Sequence, residues 1–300
     1  MSQDSLQWAS ALERIATGVD PLDGFSIERV RRAGTPCYWE ERIALGAGSD
    51  ARFETVRSAV DDGGEAIGAW AAKATPEQLR AAARAMVEAR IWERSSESIL
   101  PGQDELHYSY SAAPGIGSLQ IAADSPLLFD LATLEGELRE VANTLRDGHT
   151  GAELRCALRL ERENARRCMA SIVLENAGDR PGVLANPLFA HGTHDDYVRL
   201  EAAQPEAVQA GVTGIGPVFS PIEEPQRPTQ WPAPWRDPYV MLPARSTLTL
   251  PLRIPMLIAS AEQLYVRAVI SSYAEPRSVA GLPVLRGRAF SKEIDTAGLT

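Results

Sequence analysis

Hydrophobic residues follow one rhythm along the first half of this chain and another along the second. The clearest stretch is Leu127, Leu131, Leu134, Leu138, Val141 and Leu145, spaced 4, 3, 4, 3 and 4. That is the apolar stripe of a helix opened by Ser125-Pro126 and ended by Gly148. The stripe suits either one face of a sheet or a coiled-coil seam, and covering the preceding sheet is the simpler reading. A second helix is announced by Thr75-Pro76-Glu77-Gln78. Thr75 can cap, Pro76 fits the first helical position, and Gln78 can complete a capping box. Leu79, Ala83, Met86 and Val87 then fall on one face. Before and between these helices lie short segments rich in Ile, Val, Tyr, Trp and Phe: 25–32, 38–46, 51–58, 65–71, 105–111 and 117–122. The breaks are turn-like, as in Gly34-Thr35-Pro36 and Ala113-Pro114-Gly115, so the segments read as antiparallel strands.

From residue 152 the apolar positions come at every second place. Leu154, Cys156, Leu158 and Leu160 point one way, with Glu153, Arg155, Arg159 and Glu161 the other, which predicts a strand with one wet face. Cys168, Ala170, Ile172 and Leu174 repeat the pattern before the turn at Asn176-Ala177-Gly178. Leu248, Leu250, Leu252 and Ile254 do so again, with Pro251 arguing for an edge position. Segments 264–272 and 286–294 complete the set. The pattern predicts an α+β chain: an N-terminal helical segment over 1–24, a small α/β domain over 25–148 whose antiparallel sheet is covered by two helices, and an all-β sandwich over 151–297.

Two segments stand outside this scheme. In 1–17, Leu6, Trp8, Ala9, Leu12 and Ile15 keep near-helical spacing, so a short amphipathic helix docks on the protein's own body or on a partner. In 217–238 there are seven prolines, together with Trp231 and Trp235, and Tyr239 follows. Proline removes backbone donors and stiffens the chain, so this insertion is neither helix nor central strand. It either presents Trp231, Trp235, Arg236 and Tyr239 to a partner protein or folds its tryptophans down as an interdomain clasp.

Charge and composition narrow the function. With 40 acidic against 30 basic residues, the net charge is −10. An acidic field without a basic stripe argues against nucleic acid as a partner. No apolar run is long enough to cross a bilayer, and Asp4 stands where a secretory signal carries positive charge, so no membrane partner and a cytoplasmic location are expected. Only Lys73 and Lys292 are lysines among the 30 basic residues, an arginine- and alanine-rich usage that suits a GC-rich bacterium. Three cysteines, Cys37, Cys156 and Cys168, are too few for a disulfide scaffold. Cys156 and Cys168 fall in adjacent predicted strands, where a bridge is geometrically open but buried thiols are the better fit.

Candidate chemistry is sparse. His191-Gly192-Thr193-His194-Asp195-Asp196 is the compact cluster of metal-ligating types, and His191, His194 and Asp195 could hold a divalent ion that activates water. The alternative is a polar loop in which the aspartates cap the next strand. His107 sits beside Glu105 in a strand and is expected to face water. Gly-x-Ser-x-Gly, phosphate-loop and His-Glu-x-x-His motifs are absent from the sequence. The glycine-rich Gly211–Gly216 stretch runs straight into Pro217, which reads as a connector.

The element order over 25–146, with its Thr75-Pro76-Glu77-Gln78 helix, its Pro101-Gly102-Gln103-Asp104 segment, strand pair and Ser125-Pro126 helix, resembles emfourin-type bacterial peptidase-inhibitor domains. The resemblance implies docking on a protease by loops or edges, although no inhibitory loop motif is recognisable. Leu264-Tyr265-Val266-Arg267-Ala268 and the segment Leu285–Ile294 are similar to the last two strands of immunoglobulin-like bacterial domains. The Asn176-Ala177-Gly178 turn and Leu242-Pro243-Ala244-Arg245-Ser246 fit the same picture, while the Cys…Trp…Cys core of antibody domains is missing. These readings point to a non-catalytic binder of another protein, an inhibitor, adaptor or complex subunit without a cofactor. The alternative is a metal-binding protein or metal-dependent hydrolase built on the His191/His194/Asp195 loop.

Overall fold

The computed structural model describes residues 3–33, 39–47, 50–56, 67–113, 115–148, 151–164, 167–188, 197–203, 220–223, 232–252, 254–257, 264–272 and 282–298. The chain is a mixed α+β protein. It falls into two compact units, Met1–Thr55 with Ala69–Thr150, and Val56–Gly68 with Gly151–Thr300.

The first unit runs α1 (Gln3–Ala16), β1 (Ser26–Ala33), β2 (Trp39–Gly46), β3 (Asp50–Val56), β4 (Ile67–Lys73), α2 (Pro76–Ala89), β5 (Glu105–Ala112), β6 (Gly115–Ala122), α3 (Leu127–Asp130) and α4 (Ala132–Asp147). Its strands lie in the order β4-β3-β2-β1-β5-β6. The period of two sorts each strand between a dry and a wet face. On β5, Leu106, Tyr108, Tyr110 and Ala112 are buried and alternate with half-buried residues. The dry face and the helices share one cluster: Leu12 and Ile15 from α1, Leu79, Ala83 and Met86 from α2, and Leu134, Leu138, Val141 and Leu145 from α4. Each such leucine contributes roughly 1.5–3 kcal/mol by leaving water. The N-terminal helix therefore docks on its own unit and joins α2 and α4 over the sheet. The wet face carries a lattice of arginines and glutamates, among them Arg42–Glu28 at 3.3 Å, Arg32–Glu40 at 2.9 Å and Arg32–Glu105 at 3.4 Å.

The second leucine-striped helix differs from expectation at its start. It breaks at Leu131, which leaves α3 as a single turn before α4 begins. Leu131 itself is buried, and its N–H reaches back to Leu127 and Phe129, so the kink keeps the stripe on the core. Gly148 does close α4, but in right-handed backbone with φ −72°, donating to Thr144 at 3.0 Å.

The second unit is built from β7 (Gly151–Asn164), β8 (Arg167–Asn176), β9 (Gly182–Ala185), β10 (Tyr197–Ala203), β11 (Ser220–Glu223), β12 (Tyr239–Leu242), β13 (Ser246–Thr249), β14 (Ile254–Leu257), β15 (Tyr265–Ser272), β16 (Gly287–Phe290) and β17 (Ile294–Asp295). Among its described residues the one helical turn is Thr296–Gly298. β7 pairs with β8, whose other side takes β13 and β14 in succession. A second set runs β11-β10-β15-β16 with β17 also on β15, and β12 pairs with β9. Leu154, Ile172 and Leu174 of β7 and β8 share one buried cluster with Leu200, Ala268 and Ile270 of β10 and β15.

Where the sequence predicts one strand over Leu248–Ile254, the chain makes two. Pro251 lies at the break between β13 and β14, and both occupy the outer edge beside β8. The segment predicted over 286–294 likewise divides into β16 and β17, both on β15. Within the proline-rich 217–238, Ser220–Glu223 forms the edge strand β11, where Pro221 is tolerated. Cys156 and Cys168 sit on neighbouring strands, yet in register Cys156 faces Leu174 and Cys168 faces Arg162. Six residues of strand, roughly 20 Å at 3.3 Å each, separate the two thiols, so they cannot bridge, and both are free.

Candidate interaction surface

Of the residues singled out from the sequence, Trp235 has the most definite place, and it is not at the surface. Its ring is 2% exposed and belongs to the second unit's core. Around it the chain is held by its own backbone. Trp235 N–H donates to the Pro232 carbonyl at 2.9 Å, across the cis Ala233–Pro234 bond. Asn186, itself fully buried, donates its side-chain amide to the carbonyls of Trp235 at 3.0 Å and Asp237 at 2.8 Å. Its backbone N–H donates to Pro238 at 2.9 Å, while its side-chain oxygen accepts from Leu188 N–H at 3.0 Å. One asparagine thus satisfies a turn whose prolines cannot donate for themselves.

The turn feeds directly into β12, and there the period of two sets the exposed side chains. Val240 and Leu242 are fully buried, whereas Tyr239 is half-buried and Met241 is 55% exposed. Register on β9 is fixed from Tyr239↔Ala185 to Leu242↔Gly182. Gly182 is needed in that register, since a Cβ there would stand 2.7 Å from Leu285 and 2.8 Å from Ala152. Arg236 and Asp237 are exposed on the turn. Arg236, Tyr239 and Met241 therefore form a short surface ribbon on backbone held from beneath by Trp235 and Asn186. Met241 was not singled out from the sequence, although its signal lay in the alternation Tyr239-Val240-Met241-Leu242.

Trp231, His191, His194 and Asp195 lie outside the described residues, as do Cys37 and His149. Among the described residues, groups of three or more His, Cys, Asp or Glu able to hold a metal are absent. His107 is half-buried on the wet face of β5, in register between Val30 and Gln120.

The buried ionisable groups are bound to one another. In the first unit Arg29, 1% exposed, donates to both oxygens of Glu135 at 3.2 and 3.0 Å and to Glu41. Tyr108 adds a hydroxyl donor to the same Glu135 at 2.8 Å. Burial opposes the charge on Arg29, but the carboxylates of Glu135 and Glu41 outweigh it and hold the guanidinium above its ordinary value. Burial first, and then the Glu135 carboxylate, push the Tyr108 phenol well above its ordinary value. In the second unit Glu201 on β10 takes both Arg199 at 2.7 Å and Arg267 at 2.8 Å, with Arg267 stacked 4.7 Å above the Phe290 ring. Both networks tie elements together: α4 to β1, β2 and β5 in one, β10 to β15 and β16 in the other.

No protein-family model matches the chain, and no curated protein matches it at a significant level. No helix among the described residues is long and apolar enough to cross a membrane.

Proposed function

We propose that this chain is a non-catalytic protein-binding protein, acting in the cytoplasm as an inhibitor, adaptor or complex subunit, and that Arg236, Tyr239 and Met241 belong to its contact surface. We read the second unit as an immunoglobulin-like sandwich carrying that surface on one of its turns. The observation that supports this most is the turn at 232–238, whose exposed side chains stand on backbone tied down by Asn186 and Trp235. Such preorganisation lowers the ordering cost of binding, and a tyrosine, a methionine and an arginine on one ribbon are residue types enriched in contact surfaces. The likeness of the first unit to peptidase-inhibitor domains makes a peptidase the partner class to try first.

Affinity capture from the native host tests the reading with two variants. Arg236→Glu combined with Met241→Glu alters two exposed side chains, so the expected result is loss of the captured protein with a melting temperature lowered far less than by removal of a core side chain. Trp235→Ala removes the buried anchor and is expected to cost about 3–5 kcal/mol of stability. If the Arg236/Met241 variant captures the same protein as the parent chain, this ribbon is not the contact.

A further inference from the structure

The apolar seat of α4 does not by itself fix where along the sheet the helix lies. Its stripe repeats Leu134, Leu138, Val141 and Leu145 at steps of 4, 3 and 4. A slide of one turn, about 5.4 Å, puts each of these residues into the place of its neighbour, and apolar burial has no direction with which to oppose it. Nor is the start of α4 held by a longer helix, since the chain breaks at Leu131 between α3 and α4. One polar group distinguishes among these positions. Arg29 and Tyr108 stand opposite each other in the β1–β5 register, and Glu135 reaches both from α4. Arg29 Nε and Nη2 donate to its two oxygens at 3.2 and 3.0 Å, and the Tyr108 hydroxyl donates at 2.8 Å. The third guanidinium nitrogen, Nη1, donates to Glu41 on β2. The Arg29 side chain is 1% exposed and that of Glu135 14%, so the guanidinium depends on these partners rather than on water.

We propose that this buried group is a register lock, in which Glu135 holds α4 at one position along the sheet because every neighbouring position leaves Arg29 and Tyr108 without an acceptor. The residues that a slide of three, four or seven places would bring to Arg29 are Ala132, Leu138, Leu131, Arg139, Leu128 and Ala142. None has a side-chain acceptor, and Arg139 would add like charge. The other carboxylates of the helix, Glu137, Glu140 and Asp147, stand two, five and twelve places on and project from other faces. A displaced helix therefore strands three buried donors at once, Arg29 Nε and Nη2 and the Tyr108 hydroxyl. The energetics are asymmetric. An intact buried ion pair adds little to stability, because desolvation offsets its attraction, whereas a buried charge left alone is strongly destabilising. The group thus contributes little to the native state and penalises each wrong register heavily. Bidentate pairing sharpens the choice, since two nitrogens on two oxygens fix orientation as well as distance.

The test replaces the whole group by apolar side chains, Arg29→Met, Tyr108→Phe and Glu135→Leu together in the full chain. No buried donor is then stranded, and Glu41, whose side chain is 30% exposed, can turn to water. The variant is expected to melt at or above the temperature of the parent chain. In methyl NMR spectra, Leu134, Leu138 and Leu145 are expected to show two or more resonances per methyl where the parent shows one. Hydrogen exchange at the α4 amides is expected to quicken at least about tenfold, with that of α1 unchanged. A variant with a single resonance for each of these methyls would overturn the proposal. So would one that melts well below the parent or does not fold, because the group would then hold the fold itself and not the register of one helix. A second measurement needs no variant. In rising urea, the amides of Leu138 to Leu145 in the parent chain are expected to open together with those of Leu106 to Tyr110 on β5, since the lock ties the two elements. Opening of α4 alone at lower urea would overturn the proposal as well.

Discussion

A buried charge survives in a fold only when its partners replace the water it has lost. Arg29 meets that condition with Glu135 and Glu41, and Tyr108 fills a remaining acceptor site on Glu135. Nothing in the spacing of these residues foretold the group, because Arg29, Glu41, Tyr108 and Glu135 come from four separate elements and meet only once the sheet and α4 are assembled. Cys156 is a simpler residue-scale case. Burial pushes its thiol up to about 12 from a reference of 9.0. The unfolded chain therefore gives up this proton at lower pH than the folded chain, and the thiol's share of stability is whole below pH 9 and lost as pH rises from 9 to 12. Tyr108, also raised, acts in the same sense at higher pH, so the thiol must be isolated by difference. Urea midpoints for the parent chain and Cys156→Ala, measured from neutral pH upward, are expected to fall more steeply for the parent above about pH 9. Parallel curves would show that the thiol does not titrate differently in the two states.

At the scale of elements, local chemistry and tertiary packing can be told apart. The α2 start is local. Gln78 N–H donates to Thr75 Oγ1 at 3.2 Å and Thr75 N–H donates to Gln78 Oε1 at 2.9 Å, so both halves of the capping box are made. Thr75→Ala is expected to cost about 1 kcal/mol, seen as a lower denaturation midpoint with an unchanged slope. Gln78→Ala on that background should cost less than on the parent, because the two bonds close one ring of contacts. This element was legible because four consecutive residues encode it. The break at Leu131 was not, since the same leucine spacing continues through it and only the packed position of α3 reveals the kink. β15 was legible as a strand but not as a central one: its residues from Val266 to Ser272 are all buried, so no wet face leaves an alternation to read. Strand β9 is four residues, all buried, so it leaves no alternation to read, and the four-residue alternation of β12 is brief beside the prolines that precede it.

At the scale of the whole molecule, the change of rhythm near residue 150 coincides with the start of β7, and the candidate surface shows the limit of such reading. A tryptophan among prolines looks the same in sequence whether its ring meets a partner or its own core. The decision for Trp235 rests with Asn186, which is 49 residues away and carries no motif.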